Sequence, residues 1–325
     1  MSDSARPTAP SAAAARPDPA LVVIGNFDGV HRGHLYVLEK AALRARQRGL
    51  LLKVLTFDPH PRQIVTGEVV PALTPIERKR SLLEQLDLNV QVVVHPFTKQ
   101  TAQLTPRAFC EEILVHELNA QVVVVGQNFR FGRARSGDLS TLMELGQELG
   151  IVAIAEELQG DLTGVYSSTR VRDLLREGDV QGARAVLGRP HLLSGEVVTG
   201  DQRGRTLGFP TANLKGVSEV LPRDGVYAVQ VYDLSNGARH LGPGALNLGC
   251  RPTVDRPHAA EVHVLDFAGD LYGRRLGVEL VAWVRPVLKF ADLAHLQRQI
   301  ATDVAHSAQL LLSSRPADDI APGFA

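Results

Sequence analysis

The chain has 325 residues, enough for two domains with separate cores. Its 35 basic and 35 acidic residues give a formal net charge of zero, which argues against bulk affinity for nucleic acid or an anionic membrane surface. The two cysteines, Cys110 and Cys250, lack the spacing of a metal site or a disulfide framework, and no apolar run approaches a membrane span. We therefore expect a cytoplasmic protein with neither nucleic acid nor membrane as a partner.

Both ends of the chain have the composition of tails. The first twenty residues are rich in Ala, Pro and Ser and lack the apolar block of a signal peptide, so a disordered tail is predicted over 1–20. The closing segment, 313–325, is similar and is predicted to be a second tail.

The stretch Leu21–His34, LVVIGNFDGVHRGH, is the most informative part of the chain. It predicts a buried strand, a turn and the first turn of a helix, where unpaired N–H groups and the helix dipole favour phosphate. His31 and His34 are three residues apart, which places both imidazoles on one helix face. Three glycines would let a polyphosphate approach the backbone: Gly25, Gly29 and Gly33. The pattern indicates a site for a nucleotide α-phosphate, and the alternative is a surface turn that contains two histidines by chance.

From 21 to about 186, apolar strand patterns alternate with helical patterns. The predicted strands are 21–25, 50–57, 90–95, 121–126 and 151–155, and the predicted helices are 34–48, 75–87, 106–118 and 139–149. Thr74-Pro75-Ile76-Glu77 has the pattern of a capping box with proline at the first helical position. Continuous Val/Ile/Leu runs are typical of strands buried on both faces, so we expect a parallel, doubly wound sheet.

Ligands of such sheets bind at the carboxyl ends of the strands. Three unusual loops fall there, and their convergence supports a site at that edge: 25–34, 57–61 and 126–132.

After 187 the pattern changes to short alternating segments separated by Gly and Pro, as in a small β-barrel. The predicted strands are 195–199, 226–232, 261–267 and 278–284. An amphipathic helix follows at about 291–312, with an apolar stripe made of Leu293, Leu296, Ile300, Val304 and Leu311. The predicted domains are 21–186 and 187–312.

Several long motifs resemble the bacterial bifunctional riboflavin kinase/FAD synthetase family over about 21–312. In the first half these are Gly25–His34, Thr56–Pro61, Gly126–Gly132 and Ser167–Arg172. In the second half they are Gly200–Asn213, Asn247–Val254 and Glu261–Phe267. Asn128 stands where many relatives have Asp, and Val254 replaces the usual Phe.

The resemblance implies a Rossmann-like nucleotidyltransferase domain that transfers AMP from ATP to FMN, giving FAD and pyrophosphate. Because the FMN phosphate is already an anionic nucleophile, this reaction needs alignment and charge neutralisation rather than a base. The implied catalytic residues are His31, His34 and Arg172. The implied ATP-binding residues are Gly25, Phe27, Asp28, Gly33, Ser168 and Thr169. The implied flavin-binding residues are Asp58, His60, Asn128 and Phe129.

Three of these assignments have alternatives. The segment from Ser167 to Arg170 is also a normal helix N-cap, and Phe129 and Phe131 are equally suited to anchoring their loop to the core. Asp28 is suited either to contacting the nucleotide or to helping hold a metal.

The second half resembles a flavokinase-type β-barrel that phosphorylates riboflavin with ATP. The chain has no P-loop motif, so this kinase would be of another type. Thr211 and Asn213 would bind Mg²⁺, which prefers hard oxygen ligands, and Glu261 would deprotonate the riboflavin hydroxyl. The remaining implied contacts are Gly204, Arg205 and Thr206 with ATP and Arg274 with the flavin. Without the resemblance, Glu261 would be an exposed strand residue and Thr211–Asn213 an ordinary turn.

The sequence thus predicts an enzyme of two successive steps, with Mg²⁺, ATP, riboflavin, FMN and FAD as its small molecules. Flavoproteins that take up the product are candidate clients, and the oligomeric state is left open. Two alternatives stay open: an enzyme that keeps only one activity, and a flavin-binding sensor without turnover.

Overall fold

The first half of the chain forms a parallel sheet. In the computed structural model, which describes residues 17–200, 204, 208–249 and 259–313, five strands pair in the order β3-β2-β1-β4-β5. They are β1 (Ala20–Ile24), β2 (Leu51–Asp58), β3 (Val90–Pro96), β4 (Ala120–Gly126) and β5 (Val152–Glu156). Every pairing in this sheet is parallel, which confirms the predicted doubly wound arrangement.

Apolar clusters lie on both faces of this sheet. Alternate residues of β1 point to opposite sides: Val22 packs in the cluster of Phe109 and Leu142, and Val23 packs in the cluster of Leu38 and Leu83. This is why the strands are apolar without alternation.

The helices of this half are α1 (Arg32–Arg48), α2 (Pro61–Thr66), α3 (Ile76–Glu84), α4 (Lys99–Gln103), α5 (Pro106–Ala108, continuing as the π-helix Phe109–Glu117) and α6 (Leu139–Leu149). Four of them, α1, α3, α5 with its continuation and α6, lie close to their predicted positions, whereas the short helices α2 and α4 were not predicted. The predicted capping box at Thr74 is wrong, because Pro75 is the N-cap of α3 and the Thr74 amide donates to the Asp28 carboxylate at 3.3 Å.

The predicted tail over 1–20 is wrong at its end. Ala20 is buried in β1, and its amide donates to the Asn119 carbonyl at 3.0 Å. The Pro17 carbonyl accepts from Asn119 Nδ2 at 2.6 Å, and the Pro19 carbonyl accepts from the Leu51 amide at 3.1 Å. These backbone groups find partners in the sheet although the side chains carry no strand signal. Residues 1–16 and 314–325 lie outside the described residues.

Two helices connect the sheet to the second half of the chain. A short hairpin of β6 (Gly160–Asp161) and β7 (Gly164–Val165) precedes α7 (Ser168–Glu177) and α8 (Val180–Leu187). The apolar residues of α7 and α8, such as Val171 and Leu187, belong to the same buried cluster as the interior of the second half.

The described residues of the second half form a closed barrel of six strands in the order β10-β11-β12-β9-β8-β13, and neighbouring strands are antiparallel throughout. The strands are β8 (His191–Val198), β9 (Ala212–Lys215), β10 (Gly225–Asp233), β11 (Arg239–Gly249), β12 (Ala259–Val264) and β13 (Arg275–Pro286). The predicted barrel is confirmed, but β9 and β11 were not expected. The predicted strand 261–267 ends at Val264, before a turn in which Asp266 has a φ of 52°.

The last helix, α9 (Leu293–Ser313), packs on the outside of the barrel against Ala228 and Val281. Its predicted apolar stripe is wrong at the first turn, because Leu293 is 66% exposed. Asp303 is buried instead and receives two hydrogen bonds, at 2.8 and 2.6 Å, from the Arg285 guanidinium of β13. Among the described residues, no helix is long and apolar enough to cross a membrane.

Candidate functional site

The loop after β1 has an unusual backbone. Phe27, Gly29 and Val30 have φ angles of 48°, 85° and 40°. Such values suit glycine, and a buried β-branched residue such as Val30 adopts them only where its surroundings enforce the conformation. The surrounding structure therefore holds this loop in an unusual conformation at the carboxyl edge of the sheet.

Asp28 ties this loop to two other segments. Its buried carboxylate accepts from the amides of Leu73 and Thr74, at 2.9 and 3.3 Å, and forms an ion pair with Arg172 of α7. Its carbonyl accepts from Ser168 Oγ at 2.7 Å. Asp28, Ser168 and Arg172, which the sequence places far apart, are thus brought together.

The two predicted histidines lie at the start of α1. His31 is the N-cap, and its ring stacks on that of His34 with 3.6 Å between ring centroids. The His31 amide donates to His34 Nδ1 at 3.2 Å, so the neutral His34 ring carries its proton on Nε2. The prediction that both imidazoles share one face is confirmed.

Both imidazoles are neutral at pH 7. Burial lowers the pKa of His31 to about 4, opposed by the Asp28 carboxylate and reinforced by Arg189. Burial also holds the pKa of His34 well below its usual range, reinforced by His31, Lys79 and Arg189. His31 Nδ1 is buried and has no hydrogen-bond partner among the described residues. These rings can offer hydrogen bonds to an anion without a resident positive charge.

Two glycines leave room beside the rings. A Cβ on Gly33 would lie 3.2 Å from the His31 ring and from the Tyr166 Cβ. A Cβ on Gly25 would lie 3.0 Å from the Phe27 ring. Gly33 is also the second residue of α1, where backbone amides lack a carbonyl partner within the helix.

The start of α7 approaches the same place. The Ser167 side chain accepts from the Arg170 amide at 3.1 Å, so the N-cap alternative is confirmed. Thr169 is exposed in the first turn, and Arg172 also donates to the Pro71 carbonyl at 2.9 Å. Because a capped helix start is also a favourable environment for anions, the N-cap and a phosphate-binding role are compatible.

The two loops predicted to bind flavin flank this edge. Asp58 is exposed at the end of β2, and His60 is the N-cap of α2, with Nδ1 accepting from the Arg62 amide at 3.2 Å. Burial lowers the pKa of His60, with Asp28 raising it and Lys79 and Arg172 lowering it, which places His60 in the electrostatic environment of the histidine site.

The loop after β4 is anchored to the core. Phe131 is buried, and the Phe129 ring stacks on it with 5.4 Å between centroids. Phe129 is only partly buried, so one part of its surface stays accessible, whereas Phe131 serves the anchoring alternative. Asn128 is exposed, and Arg130 pairs with Asp138 at 3.0 Å.

A second site lies in the barrel. A cavity of about 540 Å³ is lined by residues that include Thr211, Asn213 and the segment 267–272. The wall also includes Gly200, and a Cβ there would lie 2.4 Å from the Asn213 amide group. Gly204 is similarly constrained, since its Cβ would lie 2.4 Å from the Phe209 carbonyl. Arg205 and Thr206 lie outside the described residues.

Three polar residues form a row across the barrel wall, of which Asn213 lines the cavity and Glu261 and Asn247 do not. Glu261 of β12 pairs directly with Asn213 of β9 and with Asn247 of β11. Directly paired residues of antiparallel strands present their side chains on the same face, with Cβ atoms about 5 Å apart. The barrel therefore brings together two residues to which the resemblance gave roles in the kinase reaction, Glu261 and Asn213.

Comparison with known proteins matches each half of the chain to a separate family model. The FAD synthetase family model matches residues 13–170, and the riboflavin kinase model matches residues 187–311. The bifunctional riboflavin kinase/FMN adenylyltransferase of Escherichia coli strain K12 is 38% identical over 299 residues, which cover 91% of this chain and 94% of the relative. The protein of that name from Listeria monocytogenes is 36% identical over 287 residues, covering 87% and 90%. The chain belongs to this bifunctional family.

A solved structure shares the two-module fold. It is titled a macrolide-efflux protein from Streptococcus pneumoniae, and it matches with a TM-score of 0.77 and 29% identity over 89% of this chain and 93% of that one. Both family models and the curated relatives name flavin-nucleotide enzymes, so the transport activity in that title is not transferred to this chain.

The riboflavin kinase module does not bring every predicted residue to its cavity. Arg274, just before β13, forms an ion pair with Asp233 at 2.8 Å and is not among the residues that line the cavity. Its neighbour Arg275 donates to Ser194 Oγ at 3.0 Å. The flavin-binding role of Arg274 stays a prediction.

The FAD synthetase module contains one cation that the sequence did not reveal. Lys79 of α3 is only 7% exposed, and burial lowers its pKa while the Asp28 and Asp58 carboxylates raise it. It lies on the buried face of α3, four residues before Leu83. The sequence signal that could have revealed it is the spacing of Lys79, which places this lysine on the same helix face as the buried leucines.

Proposed function

We propose that the FAD synthetase module transfers AMP from ATP to FMN at the carboxyl edge of the parallel sheet, and that the riboflavin kinase module makes that FMN from riboflavin and ATP. The observation that carries the first assignment is the convergence of the paired histidines, Gly33 and the Ser168–Arg172 segment on one strained loop. The direct pairing of Glu261 with Asn213, which lines the barrel cavity, carries the second.

In the first reaction, a phosphate oxygen of FMN attacks the α-phosphorus of ATP, and the bond to the bridging oxygen of the β-phosphate breaks. The nucleophile is already anionic, so the protein has to align the groups and stabilise charge that moves onto pyrophosphate. His31 and His34 serve as neutral hydrogen-bond donors at the start of α1, where the helix N-terminus adds favourable potential.

Two cations complete this site. Arg172 stays within reach through its pairing with Asp28, and Lys79 is buried nearby. In this role Asp28 acts chiefly as the anchor that holds Arg172 and the loop in place. Gly25, Phe27, Gly33, Ser168 and Thr169 provide the surrounding ATP contacts.

We assign the flavin end of FMN to the two loops beside this site. Asp58 and His60 border it from the end of β2, and Asn128 and the accessible surface of Phe129 border it from the end of β4.

In the second reaction, the riboflavin hydroxyl attacks the γ-phosphorus of ATP. The hydroxyl is a poor nucleophile, and Glu261 accepts its proton as the new P–O bond forms and ADP leaves. Gly204, Arg205 and Thr206 are assigned to the ATP phosphates, and Arg274 to the flavin side.

The residues at the cavity fit Mg²⁺. Thr211 and Asn213 offer neutral oxygen donors on the cavity wall, and the described residues contain no group of three His, Cys, Asp or Glu side chains suited to a metal. This sparse donor set matches an ion that keeps water and substrate phosphates as most of its ligands. When bound, Mg²⁺ would neutralise phosphate charge.

The test separates the two modules in one chain. We expect His31→Ala to abolish FAD formation from FMN and to spare FMN formation from riboflavin, and Glu261→Ala to do the reverse. Incubation with ATP, Mg²⁺ and either flavin, followed by chromatography, measures both products.

Three results would contradict the proposal. Loss of FMN formation with retained FAD formation in His31→Ala would reverse the assignment of the modules. A wild-type protein that binds flavin but consumes no ATP would be the sensor, and one that forms a single product would be the one-activity enzyme.

A further inference from the structure

The loop that carries the histidines is held from the kinase side of the chain. Arg189, within the span matched by the riboflavin kinase model, donates from Nη2 to the Gly29 carbonyl at 2.6 Å and from Nη1 to the Val30 carbonyl at 3.0 Å. These acceptors belong to the two residues directly before His31.

The backbone of Arg189 is fixed on both sides. Gly188 ends α8 in the left-handed conformation, with a φ of 81°, and Pro190 restricts the residue before it to an extended conformation. Arg189 therefore lies between the end of a packed helix and the first barrel strand, where its backbone has little conformational freedom. This suits a residue that holds another segment in a fixed position.

The loop after β1 needs interactions that hold its backbone in this conformation. Val30 is buried in the left-handed region, and Gly29 is packed so closely that a Cβ would lie 3.1 Å from Leu187 of α8 and from Leu73. A strained backbone persists only where its surroundings over-determine it. The guanidinium fixes the carbonyls of Gly29 and Val30 together, while Ser168 fixes that of Asp28.

Arg189 keeps its charge although its surroundings oppose it. Burial lowers its pKa to about 9, with Arg78 lowering it further and Glu279 of β13 raising it. At pH 7 the guanidinium is therefore still charged, and its field reaches both imidazoles, whose pKa values it lowers.

We infer that Arg189 is a positioning residue for adenylyl transfer: the kinase-side connector holds the phosphate-binding loop of the FAD synthetase module in its active shape. The inference rests on the proposed function of that loop. If Arg189 has this role, the segment that leads into the barrel is needed for FAD formation, in addition to the role of the barrel in FMN formation.

The test compares Arg189→Met and Arg189→Lys with a control, Arg80→Met. Arg80 is 59% exposed on α3 and pairs only with Glu84 in the described structure. Both activities are measured in each variant, with the KM for ATP determined separately in FMN formation and in FAD formation.

We expect Arg189→Met to lower kcat/KM for ATP in FAD formation by about ten- to hundredfold, since two charged hydrogen bonds are lost. Arg189→Lys keeps the charge but offers one donor nitrogen in place of two, so it should recover part of this loss. FMN formation should stay within about twofold of wild type in all three variants, because the barrel cavity is unchanged.

Two results would overturn the inference. In one, both activities of Arg189→Met fall together with the folded fraction measured by urea unfolding, which would make the arginine merely structural. In the other, wild type and Arg189→Met form FAD equally well. A wild type that forms no FAD would instead refute the proposed function, and this inference with it.

Discussion

Acid should destabilise the barrel through one buried histidine. His191, the first residue of β8, is 2% exposed, and its Nε2 lies 2.8 Å from the Val220 carbonyl, to which it donates. Burial lowers its pKa to about 4, with the Val220 hydrogen bond opposing this and Arg78, Arg189 and Arg172 reinforcing it.

The sign follows from proton binding. In the unfolded chain a histidine has a pKa of about 6.5, so between pH 6.5 and 4 the unfolded state binds more protons than the native state. The contribution of neutral His191 to the free energy of unfolding is complete above pH 6.5 and is lost progressively as the pH falls toward 4. With a folded pKa of about 4, His191 alone accounts for a loss of about 2 kcal/mol between pH 7 and pH 5.

The perturbation is His191→Gln, which keeps a side-chain donor for Val220 but does not titrate. Urea unfolding at pH 7 and pH 5 is followed by the fluorescence of Trp283, the only tryptophan, which lies on β13 beside β8. The variant should lose about 2 kcal/mol less than wild type between the two pH values. The control is His306→Gln, at an exposed position on α9, which should behave as wild type.

An equal loss of stability in His191→Gln and wild type would refute this reasoning, since it would mean that His191 is already protonated in the folded barrel at pH 5.

Two further predictions concern the sites. Asp28→Asn should lower FAD formation at least about tenfold and the free energy of unfolding by about 3 kcal/mol, because the buried ion pair with Arg172 loses its anion; unchanged urea unfolding would contradict this. Thr211→Val should raise the Mg²⁺ concentration that gives half-maximal FMN formation by about tenfold, and titration of both reactions should show no change in FAD formation; a parallel change in both would argue against a metal ligand in the barrel.

The sheet could be predicted from the sequence because its signal is local. The strand at 121–126 contains four consecutive valines, and such a run is typical of a strand in a parallel sheet that is covered on both faces. The two missed barrel strands are interrupted or short: β11 contains Gly242, Pro243 and Gly244, and β9 has four residues. Their pairing depends on neighbours that are distant in sequence.

The site could be predicted only as far as its residues carry chemistry themselves. The stacked histidines were visible from their spacing. Lys79 was hidden within a helix, and Arg189 acts through two backbone carbonyls, an interaction that no pattern of side chains reveals. The capping box at Thr74 failed for a related reason, since a distant carboxylate took its amide.

Because Glu261 pairs with Asn213, the position of the catalytic carboxylate depends on the register between β12 and β9. Along β12, Glu261 alternates with Val262 and Val264, which are 0% and 6% exposed in the barrel interior. A slip of one residue against β9 would turn the carboxylate inward and both valines outward. Such a slip would remove the valines from the apolar core and the carboxylate from its catalytic position. Changes in the length of the preceding connection are thus tolerable only if they preserve this register, and a screen for folded barrels would at the same time select those with Glu261 in place.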